Sequence, residues 1–454
     1  MAPVLLPLEN QAGDKRVESI FVPCLDAGST PAISTFKMNN IYSIRNFRVF
    51  DQDGVTINIR PITILTGSNS SGKSSIVKSL VLLNDFLSNI QRDKQSNQPI
   101  RLHKYQLDFT RKPNNILGSF QKIRHRSDFT SDKSENQEQA QRPPISFAYN
   151  VHSQLLLQDV RVTLDFNDRD GSDQTNGYLT GFSIQNTKGE TLYSSRENEE
   201  MKSVPNGQQL IEDVMTQDMT DSLAYVSSTI VSVRRLYSLE ADDEFTRILR
   251  SYITAAQAGR RADYQPNTFI NRWVQRFGIG DHITIKSDPD RLGAVIRLCM
   301  AGEQHGTLLA DFGYGITQLF VVLLRIELAI LEGKESATIA FEEPEVHLHP
   351  RFQSILADMF ADAYKTYNIQ FIIETHSEYL VRRLQTIVAQ EQLVPSDIAL
   401  IYVYNADPTK RPMYTPQVKE IEIATDGRLT EPLGTGFLDE ANNLSIDLLR
   451  AMKE

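Results

Sequence analysis

Little in this chain of 454 residues speaks for secretion, for a metal knuckle or for a membrane. Its two cysteines, Cys24 and Cys299, lie far apart, which excludes a disulfide framework and a CxxC zinc site. It has no excess of positive charge. A net charge of −10 argues against a surface coated for nucleic acid, although it leaves room for a local basic strip. It also lacks a long uncharged apolar run. The longest, "LFVVLLRIELAIL" (319–331), carries Arg325 and Glu327 and reads as a buried helix, not a membrane span. The opening "MAPVLLPLEN" has no basic region and too short an apolar run for a signal peptide, so a reducing cytoplasm is the expected compartment. Long coiled-coil heptads and internal repeats are missing too.

What is present is an alternation of strands and helices at both ends, with a different middle. Residues 1–37 are an N-terminal extension of mixed composition. "IYSIRNFRVF" and "VTINIRPITILTG" pattern as strands, and "SSIVKSLVLLNDFLSNI" has helical periodicity. The polar stretch 127–144 reads as a linker or mobile loop, followed by antiparallel strands over 145–195 and a mostly helical region over 207–280. "HITIKS" and "AVIRLCMAG" return to strand. Then come a glycine turn, the long apolar helix, the strand "ATIAF", a helix near 351–366, the strand "IQFIIET", a helix, two more strands and a helix over 438–452. The pattern implies an α/β nucleotide-binding core interrupted in the middle.

Four short stretches carry chemistry. "GSNSSGKSS" (67–75) matches GxxxxGK[ST] through Gly67, Gly72, Lys73 and Ser74. It follows an apolar strand and opens an apolar helix, so its N–H groups converge on phosphate at a helix N-terminus. Lys73 adds charge at the β- and γ-phosphates and Ser74 a hydroxyl for Mg²⁺. "ATIAFEEPEVHLHP" (337–350) is a buried strand ending in Glu342 and Glu343; one acid suits a metal held through water, the other an attacking water. "FIIETHSEYL" (371–380) places His376 at a strand-to-helix boundary, to report a γ-phosphate or simply to sit in a turn capped by Ser377 or Thr375. "DFGYGITQLFVVLL" (311–324) sets Gly313 and Gly315 at the start of a helix, a second anion site. One γ-phosphate does not need two such sites in one chain, but two chains arranged head to tail do. His347 and His349 form only an HxH pair, and a loop contacting a neighbouring subunit is preferred over zinc.

In this order the four stretches resemble the heads of ABC-type ATPases, most nearly the soluble SMC-like and OLD (overcoming lysogenization defect) groups. "IRNFRVF … PITILTGSNSSGKSS", "FGYGITQ", "FEEPEVHLHP" and "IIETHSEYL" carry the resemblance, over about 38–85 and 310–405. It implies an α/β fold, an ABC-type P-loop ATPase head with a mixed sheet flanked by helices and a mainly helical and antiparallel-strand insertion. The divisions expected are 38–100 as the first ATPase half, 101–310 as the insertion, 311–415 as the second half and 416–454 as a C-terminal segment. The resemblance implies ATP and Mg²⁺ as cofactors. Gly67, Asn69, Ser71, Gly72, Lys73, Ser74 and Ser75 would hold one face of the nucleotide; Gly313, Gly315, Thr317 and Gln318 of a second copy would hold the other. Ser74, Glu342 and the Q-loop residue Gln121 would serve the metal, Glu343 would be the catalytic base and His376 the switch. The departures are FGYGITQ in place of LSGGQ, with Thr317 in the serine's place, and Glu342 where many relatives carry Asp. The segment after His376 shows no acid pattern of a Toprim nuclease.

Stand-alone ATPases of this kind commonly work with a separately encoded effector, often a nuclease, in bacterial anti-phage defence, as in the Septu, PARIS and some retron systems. The resemblance therefore implies a slow, regulatory ATPase that forms a homodimer or higher homo-oligomer and controls such an effector. The alternative is an SMC-like DNA-repair ATPase that clamps DNA directly. A basic stretch over 92–126, interleaved with Tyr105, Phe109 and Phe120, and a second cluster from Arg247 to Arg276 fit either a nucleic-acid contact or a solvated face. A small-molecule kinase is disfavoured because it has no role for the glycine turn and switch histidine. The large insertion and the FGYGITQ turn count against a transporter subunit.

Overall fold

The computed structural model describes residues 39–452, apart from 96–103, 110–116, 126–142, 169–175, 197–206, 216–222, 230–232, 260–264, 289–291, 304, 335–336 and 435–436. The extension 1–37, nearly all of the polar stretch 127–144 and basic residues Arg101, Arg111, Lys112, Arg126, Arg260 and Arg261 lie outside the described residues.

A six-stranded sheet forms the centre, in the order Val418–Ile421, Ile398–Val403, Ile62–Gly67, Ile369–Glu374, Ala337–Glu342, Leu223–Val226. The first pair is antiparallel and the rest are parallel. Parallel strands are covered on both faces, which is why "ITILTG" and "IALIYV" carry no charge and are buried at every position. Side chains alternate between two cores. Ile62, Ile64, Ile339, Phe341, Phe371 and Ile373 pack with the helices Glu244–Ala258, Thr268–Phe277, Tyr314–Glu332, Pro350–Tyr367 and Glu378–Ala389. Leu65, Ala340, Ile372 and Ile401 point the other way, onto the helix Lys73–Gln95.

That helix is covered on its far side by a seven-stranded antiparallel sheet. Strands Asn39–Arg45 and Val55–Asn58, from before the phosphate loop, pair with Ile145–Ser153, Gln158–Asn167, Gly177–Asn186 and Thr191–Arg196 from the middle of the chain; Gln106–Leu107 closes one edge. The strands expected to open an insertion therefore continue a sheet begun at residue 39. A small antiparallel sheet holds His282–Ser287, Gly293–Cys299, Tyr237–Ser238 and Thr307–Leu308.

The helix Tyr314–Glu332 is the one described helix long and apolar enough to cross a membrane, and it is buried in the core from Thr317 to Leu331 almost without a break. Glu327 has a structural use there. It accepts a hydrogen bond from the N–H of Ile270 at 3.0 Å, in the first turn of Thr268–Phe277, whose cap Asn267 makes no side-chain bond to it. The acid in the apolar run thus serves as a remote helix cap.

Candidate functional site

The phosphate loop leaves the central strand at Gly67 and enters the helix at Lys73. Gly67 has φ 137°, and a Cβ there would lie 2.1 Å from the carbonyl oxygen of Val403; Gly72 has φ 118° and abuts Val49 and Phe50. Both positions require glycine. Lys73, only 3% exposed, donates from Nζ to the carbonyls of Gly67 (3.0 Å) and Ser68 (2.8 Å). Burial pushes its pKa down, against the attraction of Glu374 and Glu343.

Two carboxylates stand beside this loop for a reason visible in the strand register. Glu342 and Glu374 are direct partners across adjacent parallel strands, and Glu374 lies opposite Leu65. Each is two residues beyond a side chain, Ala340 or Ile372, that faces the helix Lys73–Gln95, so both acids end their strands on the phosphate-loop side. Glu342 meets Lys78 Nζ at 3.1 Å. Glu374 accepts from Ser74 Oγ at 2.7 Å. Its pKa is pushed up to about 7, chiefly by burial and also by Glu342 and Glu343, against the Ser74 hydrogen bond and Lys73.

Glu343 follows the strand in a left-handed conformation, φ 46°, fixed by its N–H on the carbonyl of Glu374 at 2.8 Å. A non-glycine residue there is strained by about 1 kcal/mol, a pattern that gathers at functional positions. The turn sends the Glu343 side chain back to the cleft, 3.7 Å from His376 Nε2. Burial lowers the His376 pKa, with Lys73 adding to the effect and Glu343 opposing it. The turn around His376 is anchored by Glu345, a buried acid that accepts the His376 N–H at 2.7 Å. Ser377 Oγ accepts from the N–H of Leu380 and donates to Gln353, so the turn is both capped and part of the cleft wall.

Most of these groups border one cleft of about 820 Å³, a volume suited to a nucleotide, but Gly67 and Glu342 are not in its wall. Asn69, Ser71, Gly72, Lys73, Ser74, Ser75, Glu343 and His376 line it, as do Glu374, Arg48, Lys78, Lys122, Arg124 and His125. Gln121 does not. It lies in the short helix Phe120–Ile123, and its neighbours Lys122, Arg124 and His125 take the wall instead. Gly313, Gly315, Thr317 and Gln318 are not in the wall either. Thr317 and Gln318 are 1% and 2% exposed, turned inward because the helix they open is apolar on nearly all sides. Gly313 has open space around it, and Tyr314 beside it is 62% exposed. A Cβ on Gly315 would lie 2.5 Å from the carbonyl oxygen of His347, which sets the glycine turn against the turn 343–349. His347 packs its ring on Tyr314, and His349 accepts the N–H of Arg351 as the N-cap of Pro350–Tyr367.

Glu374, Arg48, Lys78 and His125 are cleft residues that sequence reading missed. Glu374 ends a buried strand next to the switch histidine, the same signal that singled out Glu342. Arg48 had no local signal. It reaches the cleft because its N–H bonds to the carbonyl of Ile123 at 2.6 Å and its carbonyl meets His125 Nδ1 at 2.8 Å, contacts far apart in sequence.

The site suits Mg²⁺–ATP. Glycine-shaped N–H groups, a buried lysine and further cations suit a polyphosphate, while Ser74 and Glu374 offer oxygen to a hard cation. When bound, such a cation supplies neutralisation of phosphate charge.

Among curated proteins none matches the chain. Similar solved structures include the SMC head bound to the C-winged helix domain of ScpA (12% identity, 85% of this chain and 97% of that one, TM-score 0.44). Others are the SMC head domain from Thermotoga maritima (13%, 81% and 95%, 0.38) and the Smc head with an extended coiled coil bound to the C-terminal domain of ScpA derived from Pyrococcus furiosus (11%, 91% and 99%, 0.39). The AAA ATPase domain family model matches residues 37–142 and 146–381, which span the phosphate loop, both strand-end acids and His376. The chain belongs to the AAA ATPase domain family.

Proposed function

We propose that the chain binds Mg²⁺–ATP in this cleft, dimerises head to tail around it, hydrolyses it slowly and by that cycle controls a separate effector, a nuclease, in bacterial anti-phage defence. The observation that carries the dimer is that the glycine turn lies outside the cleft. The loop, Glu343 and His376 face it, whereas Gly313 and Tyr314, at the start of a long helix, are exposed elsewhere on the same chain. A second copy would supply that turn, through backbone N–H groups around Gly313 more than through the buried Thr317 and Gln318. ATP is then the shared ligand of two surfaces, and loss of the γ-phosphate separates them. The effector and the defence role rest on the resemblance of the four motifs to stand-alone OLD-like ATPases. Analytical mass measurement with and without ATP tests the dimer, and co-purification with the product of a neighbouring nuclease gene tests the effector.

Glu345 provides a test of the switch. Glu345→Ala removes the acceptor of the His376 N–H and is expected to lower kcat by about 10–100-fold through misplacement of the histidine turn, with KM nearly unchanged. Glu345→Gln, which keeps an acceptor oxygen, is expected to recover most of that rate. Equal kcat in wild type and Glu345→Ala would remove Glu345 from the account.

Part of the second basic cluster, on which the DNA-clamping alternative draws, makes contacts within the fold. Arg272 pairs with Asp362, Arg250 donates to the carbonyls of Leu239 and Ala241, and Arg276 stacks on Trp273. These arginines are engaged in holding the fold. The proposed role has no need of DNA, so the isolated chain is expected not to bind duplex DNA even at low salt. Binding that falls steeply as salt rises would favour the clamp.

A further inference from the structure

Glu342 was expected to be the metal acid, yet another carboxylate touches the expected metal-binding serine. The strand Ile369–Glu374 lies between the phosphate-loop strand and the strand Ala337–Glu342. Glu374 is therefore one strand nearer to Ser74 than Glu342 is. Glu374 lines the cleft and is only 4% exposed; Oε1 takes the Ser74 hydroxyl, and the buried Oε2 has no hydrogen-bond partner among the described residues. A buried carboxylate oxygen left without a donor costs about 1–3 kcal/mol or more, and a cation is the usual compensation. Glu342 and Glu343 add like charge nearby, but Glu342 is ion-paired with Lys78 and is not in the cleft wall. Among the described residues no group of three or more His, Cys, Asp or Glu side chains forms a self-sufficient metal cage. That composition suits Mg²⁺, which takes one or two carboxylates and draws its other ligands from phosphate and water.

Building on the Mg²⁺–ATP reading, we infer that Glu374 is a carboxylate of the cation site, acting with Ser74 to couple metal binding to nucleotide binding, with Glu342 behind it. Ser74 lies in the first turn of the phosphate-loop helix and Glu374 at the end of the switch strand, two residues before His376. A cation held between them ties the loop to the switch.

The test is the affinity for a fluorescent ATP analogue, measured with Mg²⁺ and with EDTA, for wild type, Glu374→Gln and Glu374→Asp. Wild type should bind more tightly with Mg²⁺. Glu374→Gln keeps the shape and an acceptor for Ser74 but not the charge. It should lose most of the magnesium gain, about 10–100-fold in metal affinity, while its metal-free affinity holds or rises. Glu374→Asp should keep part of the gain. An undiminished magnesium gain in Glu374→Gln would overturn the assignment. So would equal losses in both variants with and without Mg²⁺, which would mean that Glu374 only props the loop. Absence of ATP binding by the wild type would instead refute the underlying nucleotide reading.

Discussion

Replacing Lys73 by alanine is expected to abolish ATP binding while leaving the fold intact. The ammonium is buried at the centre of the loop, where it holds two loop carbonyls, and it is placed to move onto phosphate oxygens when they arrive. Contacts of this charged kind contribute roughly 1.5–3 kcal/mol each, so two of them amount to about 10²–10⁴ in affinity. The helix does not depend on the ammonium. Its first turn is held by Ser75 and Ile76 N–H bonds to the carbonyl of Gly72, and its apolar face stays buried between the two large sheets. ATP should raise the melting temperature of the wild type and leave that of Lys73→Ala unmoved, because only a ligand that binds the native state stabilises it. Calorimetric titration gives the direct reading. An affinity equal to wild type would refute the loop assignment. Lys73→Arg should also bind poorly, since a planar guanidinium does not fit where a compact ammonium sits among carbonyls.

Glu343→Gln is expected to bind ATP normally and to hydrolyse it about 10²–10⁴ times more slowly, the usual contribution of a positioned general base. The geometry separates the two functions. Glu343 reaches the cleft from a strained turn, and its carboxylate is 3.7 Å from the His376 ring. Glutamine keeps the size and cannot take a proton from water. Single-turnover measurements, which separate binding from chemistry, should show a full ATP complex that persists. Wild-type hydrolysis by this variant would move the base elsewhere in the cleft.

The parts of this site that rest on local pattern were legible in the sequence. The phosphate loop needs glycine at two positions whatever surrounds it, and a run of apolar residues ending in acids reads as a buried strand whatever its neighbours. The features that were not legible come from distance. Pairing of residues 39–58 with 145–196 joins strands on either side of the phosphate-loop helix, so the seven-stranded sheet appeared in sequence as a head followed by an insertion. Arg48 enters the cleft through contacts with Ile123 and His125. Thr317 and Gln318 looked available because they follow two glycines, but the buried helix turns them inward. Glu374 carries the same local signal as Glu342, an acid at the end of a buried strand.

The head-to-tail dimer is the centre of the account, and the mass of Glu343→Gln in solution tests it most directly. With slow hydrolysis the ATP-bound state accumulates, so light scattering should report a monomer without nucleotide and at least a doubling of mass with Mg²⁺ and ATP. A chain that binds ATP fully and stays monomeric would contradict it.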